Sequence, residues 1–325
     1  MRVSPAPPAE TKAHDNQVAR GMALMVVAML TLPLMDGMAK LLTLEYDVSA
    51  GQTTFGRFLV QSILLGAIIA VMHGVRALIP SQLLLNLLRG ALMSMAVMLF
   101  FATLRYMPVA DALAVFFLEP FILTILSVII LKEKVGWRRG LAVVIGFAGA
   151  MLIVQPSYAV FGPVSLMPIG TAFLFATYLI LTRIMASKDR PITMQFASGV
   201  GGVITLFVVV ALATLFDFKD FSSPEIPEFG IRWALIFAIG ALASFGHLVI
   251  VMAFRLASAS ILAPFQYLEI VTGTLIGYYL FGDFPDAWKW LGIFIIIASG
   301  IYLFLRERRA AAASGGGGNS DNSGG

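Results

Sequence analysis

Two glutamates stand where a carboxylate is expensive to keep. Residues 116–134 read FFLEPFILTILSVIILKEK and residues 266–284 read QYLEIVTGTLIGYYLFGDF, so Glu119 and Glu269 are 150 positions apart in similar apolar runs. A carboxylate inside such a run can contact a cationic or amino group, or it can carry a proton. The competing account is a bundle glutamate, neutral or hydrogen-bonded to backbone beside a kink at Pro120. Gln266 and Tyr267 precede Glu269, and Thr272 and Gly273 follow it, which leaves polar groups and room for a ligand. Asp36 and Lys40 are four apart and share a helix face. With Arg57 they can form one ion network, or Arg57 can attract a solute carboxylate. Lys40 and Arg57 can also snorkel to the outer interface. His247 can exchange protons near neutral pH or sit hydrogen-bonded within a bundle. Tyr178 and Phe116 are candidates to line a pocket, although with 25 phenylalanines in the chain packing is the default for any one ring.

These residues need elements that hold them in an apolar medium. The 325 residues are 59% hydrophobic and only 12% charged, about half the charge of a soluble domain. A water-soluble fold could not hide so much apolar surface. A helical membrane protein, partnered by the lipid bilayer, is the expected class. With no cysteine and three scattered histidines, disulfides, thiolate catalysis and cysteine zinc sites are excluded. No GxxxxGK[ST], HExxH or GxSxG signature occurs, so no enzyme, metal or cofactor is expected. Basic loops read as a topology signal, not a nucleic-acid surface.

A helix needs about 20 mostly apolar residues to cross a bilayer. Ten candidates fit: 21–44, 51–73, 82–104, 110–131, 138–154, 165–186, 193–215, 232–254, 259–281 and 287–305. Residues 1–20 are polar and proline-rich and lack a signal peptide's apolar stretch. The tail 310–325 has the Gly/Ser/Asn composition of a disordered linker. With the N-terminus inside, 16 lysines and arginines fall on inside segments and four, Arg105, Lys219, Arg232 and Lys289, fall outside. Both termini are therefore expected in the cytoplasm. Ten spans split into two fives, 21–154 and 165–305. An odd number per half inserts the second half upside down, the architecture of alternating-access carriers. Glu119 and Glu269 then both sit about 15 Å deep, near the middle of the hydrocarbon core. Positions 142, 146 and 150 have small-residue spacing for close helix packing, within a monomer or at a homodimer seam.

The stretch LEPFILTILSVIILKEKVGWRRGLAVVIGFAGAMLIV resembles the end of an EamA domain. A glutamate–proline pair is followed by an acidic helix end, a basic or tryptophan-bearing link and a glycine-rich helix. LEIVTGTLIGYYLFGDFPDAWKWLGIFIIIASGIYLFL repeats it, and FGRFLVQSILL resembles the arginine-bearing second helix. Ile270 departs from the pattern where Pro120 has its mate. The resemblance, to the drug/metabolite transporter superfamily of EamA type, covers about residues 20–306. It implies an inner-membrane secondary transporter of an amino acid or similar metabolite, working by alternating access and driven by a proton or solute gradient. The residues alone leave open an intramembrane enzyme or a lipid-handling protein.

Overall fold

The computed structural model describes residues 8–132, 141, 144–145, 148–149, 151–152, 158–159, 161–185, 189–219, 221–222, 230–256, 265, 268–295, 297–299 and 301–302. Among these every regular element is helical. In chain order they are α1 (Pro8–Glu45), α2 (Ala50–His73), α3 (Leu83–Leu104), α4 (Val109–Phe116), α5 (Glu119–Leu131), α6 (Met167–Met185), α7 (Pro191–Leu215), α8 (Ile231–Leu256) and α9 (Leu268–Phe281). A further apolar helix, α10, runs Ala287–Ser299.

Seven spans among the described residues are long and apolar enough to cross a membrane, α4 and α5 counting together as Val109–Leu131. The other three expected spans, 138–154, 259–281 and 287–305, lie partly or mostly outside the described residues. The small-residue positions 142, 146 and 150 lie outside them entirely.

Local chemistry sets the helix ends. Ser49 caps α2: its Oγ accepts from Gln52 N at 3.1 Å, and Gln52 Oε1 accepts from Ser49 N at 3.3 Å. This reciprocal box satisfies two otherwise orphaned donors. Gly74, with φ of 81°, ends the same helix, a conformation cheap only for glycine. Pro191 opens α7 at the first helical position, where its missing N–H costs nothing.

The fourth span is discontinuous. α4 stops at Phe116, Phe117 and Leu118 turn with the Leu118 N–H bonded to Val115 O at 3.1 Å, and α5 restarts at Glu119. Pro120 explains the restart, since it cannot donate into the helical ladder. Broken spans in the middle of a bilayer protein are tolerated where they line a cavity or are covered by protein.

Packing between the two halves of the chain follows a paired scheme. α1 lies on α8, and α6 lies on α3; α2 lies on α8, and α7 lies on α3. α1 lies on α9, and α6 lies on α5; α2–α7 and α4–α9 are their own counterparts. Exchanging helices 1–3 with 6–8, and the α4–α5 span with α9, maps this list onto itself. Close approach between α3 and α7 needs glycine. A Cβ on Gly90 would collide with Ser198 O, and one on Gly201 would strike Leu87 O. Small residues let backbones meet where no hydrophobic force drives helices together. Below, the end of the bundle where α1 ends and α2 begins is called the far end.

Candidate functional site

α2 carries a polar stripe at a spacing of four: Thr53, Arg57 and Gln61, each no more than 1% exposed. Arg57 is the centre of a charged group drawn from several helices. Its guanidinium is within electrostatic reach of Asp36 on α1, Tyr178 on α6 and His247 on α8. Asp36 in turn is within electrostatic reach of Glu269 on α9. The nearest ring to the guanidinium is Phe58, at 5.0 Å. Yet Arg57 Nε and Nη1 have no hydrogen-bond partner among the described residues. A buried charge without hydrogen bonds is costly, which sets Arg57 apart from another buried arginine of this bundle, Arg89.

Arg89 shows what a structural arginine looks like in the same bundle. Its Nε donates to Thr182 Oγ1 at 2.9 Å and its Nη1 to Asn86 Oδ1 at 2.9 Å and Met194 O at 3.4 Å. Nη2 donates to the Tyr178 hydroxyl at 3.2 Å, which passes a bond on to Gln195 Oε1 at 3.4 Å. Arg89 is one of the 16 basic residues assigned to the inside segments. It is a 2%-exposed clamp joining α3, α6 and α7. The flanking LLLNLLRGALM, apolar on both sides and with Asn86 one turn away, held the signal.

The expected grouping of Asp36, Lys40 and Arg57 needs correction at Lys40. Its Nζ lies 2.5 Å from Asp283 Oδ2 and 4.6 Å from the Phe281 ring centroid. α1 packs along α9, and Asp283 follows directly beyond the α9 end, so the partner comes from the other half of the chain. Lys289 Nζ likewise lies 2.5 Å from Asp111 Oδ2, joining the start of α10 to the start of α4. Both pairs stand at the far end and both bridge the halves. Ser49 Oγ adds a bond to Ser222 O at 2.5 Å at that end. Asp111 is 1% exposed in its side chain and Lys289 14%, so this pair is poorly screened. Asp111→Asn should strand Lys289 and lower the melting temperature. Exchanging the charges in the double variant Asp111→Lys, Lys289→Asp should recover most of the loss. Equal, additive losses in the cycle would show that the pair contributes no specific link.

The remaining candidates separate. Glu119 opens α5, where its carboxylate meets the positive helix end. Its Oε1 is buried without a partner among the described residues. Its helical neighbours Val115, Leu118 and Ile122 belong to an apolar cluster with Ile270 and Ile293, and among the described residues no charged group is coupled to it. It is thus not joined to the Asp36–Arg57–Glu269 group. His247 Nδ1 donates to Ala243 O of its own helix at 2.8 Å. Tyr178 serves both arginines. Gln266 and Tyr267 lie outside the described residues. Phe116 stacks edge-on with Phe175 at 5.5 Å, and Phe175 lies 5.6 Å from Tyr178, so an aromatic wall runs from the break in the fourth span to the arginines.

A cavity of about 400 Å³ opens elsewhere, among Met95, Leu99, Leu174, Leu212, Phe216 and Phe221. It holds none of the candidate polar residues. Phe216 is 65% exposed, so this groove faces the lipid side and does not compete with the buried polar group as a solute site. No cluster of metal-ligating side chains occurs among the described residues.

Comparison with known proteins agrees with a carrier. The EamA-like transporter family matches twice, over residues 19–155 and 163–306. A protein of Vibrio cholerae named as a riboflavin transporter is 26% identical over 90% of this chain and 94% of its own length. A protein of Rickettsia prowazekii named as an S-adenosylmethionine uptake transporter is 29% identical, over 89% and 93%. A riboflavin transporter of Brucella anthropi is 28% identical, over 73% and 82%. One solved crystal structure superposes with a TM-score of 0.59 over 91% of this chain and 99% of its own, at 17% identity, which bears on the fold alone.

Proposed function

The chain belongs to the EamA-like transporter family, and from that premise we propose that it carries a zwitterionic metabolite with a flat ring across a bacterial inner membrane. The solute binds at the Asp36–Arg57–Glu269 group. Arg57 receives a carboxylate in bidentate fashion. Asp36 and Glu269, from α1 and α9, receive an ammonium or sulfonium. The aromatic wall of Phe116, Phe175 and Tyr178 supplies faces on which a ring and a cation can rest. The observation that carries this reading is the buried Arg57 with two nitrogens that lack a partner among the described residues, coupled to Asp36, which is coupled in turn to Glu269. Structural charges in this bundle are paired, as Arg89, Lys40 and Lys289 are.

The fold acts by alternating access between two inverted five-helix repeats, ten spans in all, with both termini in the cytoplasm. The paired packing scheme supports the repeats, and the 16-to-4 charge asymmetry supports the orientation. The two ion pairs that bridge the halves at the far end are the contacts that part when that side opens. A proton or solute gradient drives the cycle.

The relatives named for S-adenosylmethionine fit the paired charges of the site. Those named for riboflavin support a second reading, a neutral flavin held chiefly by the aromatic wall. A thermal-shift panel separates them. Ligand binding only the folded state raises the melting temperature as RT ln(1 + [L]/Kd). A shift with S-adenosylmethionine, abolished in Asp36→Asn, supports the zwitterion; a shift with riboflavin that survives Asp36→Asn supports the flavin.

A further inference from the structure

Nine buried side-chain polar atoms lack a hydrogen-bond partner among the described residues, and five of them belong to the one stripe on α2. They are Thr53 Oγ1, Arg57 Nε and Nη1, and both Oε1 and Nε2 of Gln61. The stripe runs from residue 53 to residue 61, about 12 Å of helix. Arg57 belongs to the site already described. Thr53 and Gln61 do not, and neither has a structural account.

Thr53 breaks a habit of this bundle. Thr54, Thr103, Thr171, Thr177 and Thr274 each return a hydrogen bond to the carbonyl four residues earlier, the usual resting place for a helical hydroxyl. Thr53, immersed as deeply as any, is left unbonded. Gln61 breaks a second habit. Gln52 caps a helix and Gln195 accepts from Tyr178. Gln61 is 1% exposed, with donor and acceptor both idle. One turn from Arg57 and on its face, it sits on the side of the site away from the far end.

We propose that Gln61, with Thr53 on the other side of Arg57, reads the hydrogen-bonding edge of a heterocyclic substrate. The idea rests on the reading of Arg57 as the solute site. A primary amide offers one donor and one acceptor side by side. Its complement is a ring edge with an acceptor next to a donor, as the amino and ring nitrogens of adenine or the imide of a flavin provide. An amino acid without a ring cannot satisfy it. Gln61 therefore selects ring-bearing substrates, while Arg57 and the carboxylates hold the charged groups of either kind.

The test uses purified full-length protein and titration calorimetry with three probes. S-adenosylmethionine and riboflavin bear ring edges, and S-methylmethionine has the same sulfonium amino acid without a ring. Gln61→Leu and Gln61→Glu should each weaken the ring-bearing probe that binds the wild type by roughly tenfold or more, and leave S-methylmethionine unchanged. Empty Gln61→Leu protein should melt no lower than wild type, because an idle buried amide is replaced by apolar atoms of similar size. Equal weakening of ringed and ringless probes, no weakening, failure of the wild type to bind either ringed probe, or a lower melting temperature for empty Gln61→Leu would each overturn the proposal. Arg57→Met serves as the separate control. If it leaves S-methylmethionine and the ringed probes bound as in wild type, the underlying site assignment falls, whatever Gln61 does.

Discussion

Arg57→Met yields a folded protein that has lost its solute, whereas Arg89→Met yields an unstable one. The two arginines are almost equally buried, at 1% and 2% exposure, so burial alone would predict the same outcome for both. Their bonding separates them. Arg89 satisfies Asn86, Thr182, Met194 and Tyr178, and its loss strands several of those groups at about 1–3 kcal/mol each. Arg57 holds no such set, so methionine removes a poorly satisfied charge and leaves only Asp36 without its countercharge. Arg89→Met should therefore melt well below Arg57→Met. Binding should show the reverse order. Losing one partner of a buried charge pair with the solute costs about 2–5 kcal/mol, roughly 30-fold or more in affinity. Arg57→Lys should rescue little, because a point charge cannot reproduce the planar fork. Equal melting temperatures with equal binding losses would show that the two arginines play one role.

The second large effect is at Glu269. Glu269→Gln keeps the shape of the side chain and removes its charge. The protein should reach the membrane and fold, but it should lose gradient-driven uptake in proteoliposomes. Glu269 is within electrostatic reach of Asp36 across the α1–α9 contact, so a cation or proton between them relieves their repulsion, and an amide there leaves nothing to relieve. Glu119→Gln should act differently. Glu119 opens α5 after the break at Phe117 and Leu118, and its carboxylate interacts with the helix dipole rather than with a partner charge. Its replacement should lower the melting temperature more than Glu269→Gln does. Wild-type uptake by Glu269→Gln at every pH between about 5 and 8 would remove Glu269 from both the proton path and the solute site.

The contrast between these residues also marks what local sequence can and cannot carry. Glu119 and Glu269 were visible because a carboxylate in an apolar run breaks a strong pattern. A kink in the fourth span was visible through Pro120, but the break itself, at Phe117 and Leu118 just ahead of it, was not. Lys40 was misassigned because a spacing of four names a neighbour on the same helix, whereas Asp283 arrives from 243 residues away. Only the packing of α1 on α9 decides between them. Arg57 was legible as a charge in an apolar run, but Thr53 and Gln61, at the same spacing of four, drew no notice. A buried amide looks the same in sequence whether bonded or idle, and the distinction appears only when its surroundings are in place. Close-packing small residues were sought at 142, 146 and 150, which lie outside the described residues. Among the described residues they act at Gly90 and Gly201, where α3 and α7 backbones touch.

Counterflow in proteoliposomes tests the central claim most directly. Vesicles holding the purified protein are loaded with unlabelled S-adenosylmethionine and diluted into a trace of labelled compound, with Arg57→Met and Arg89→Lys vesicles alongside. A carrier with its solute site at Arg57 predicts transient, saturable accumulation of label that is recovered chemically unchanged. It also predicts no accumulation in Arg57→Met vesicles and retained accumulation wherever Arg89→Lys protein is folded. Accumulation by Arg57→Met at the wild-type rate, linear flux that does not saturate, or label recovered as a chemically altered product would contradict the account.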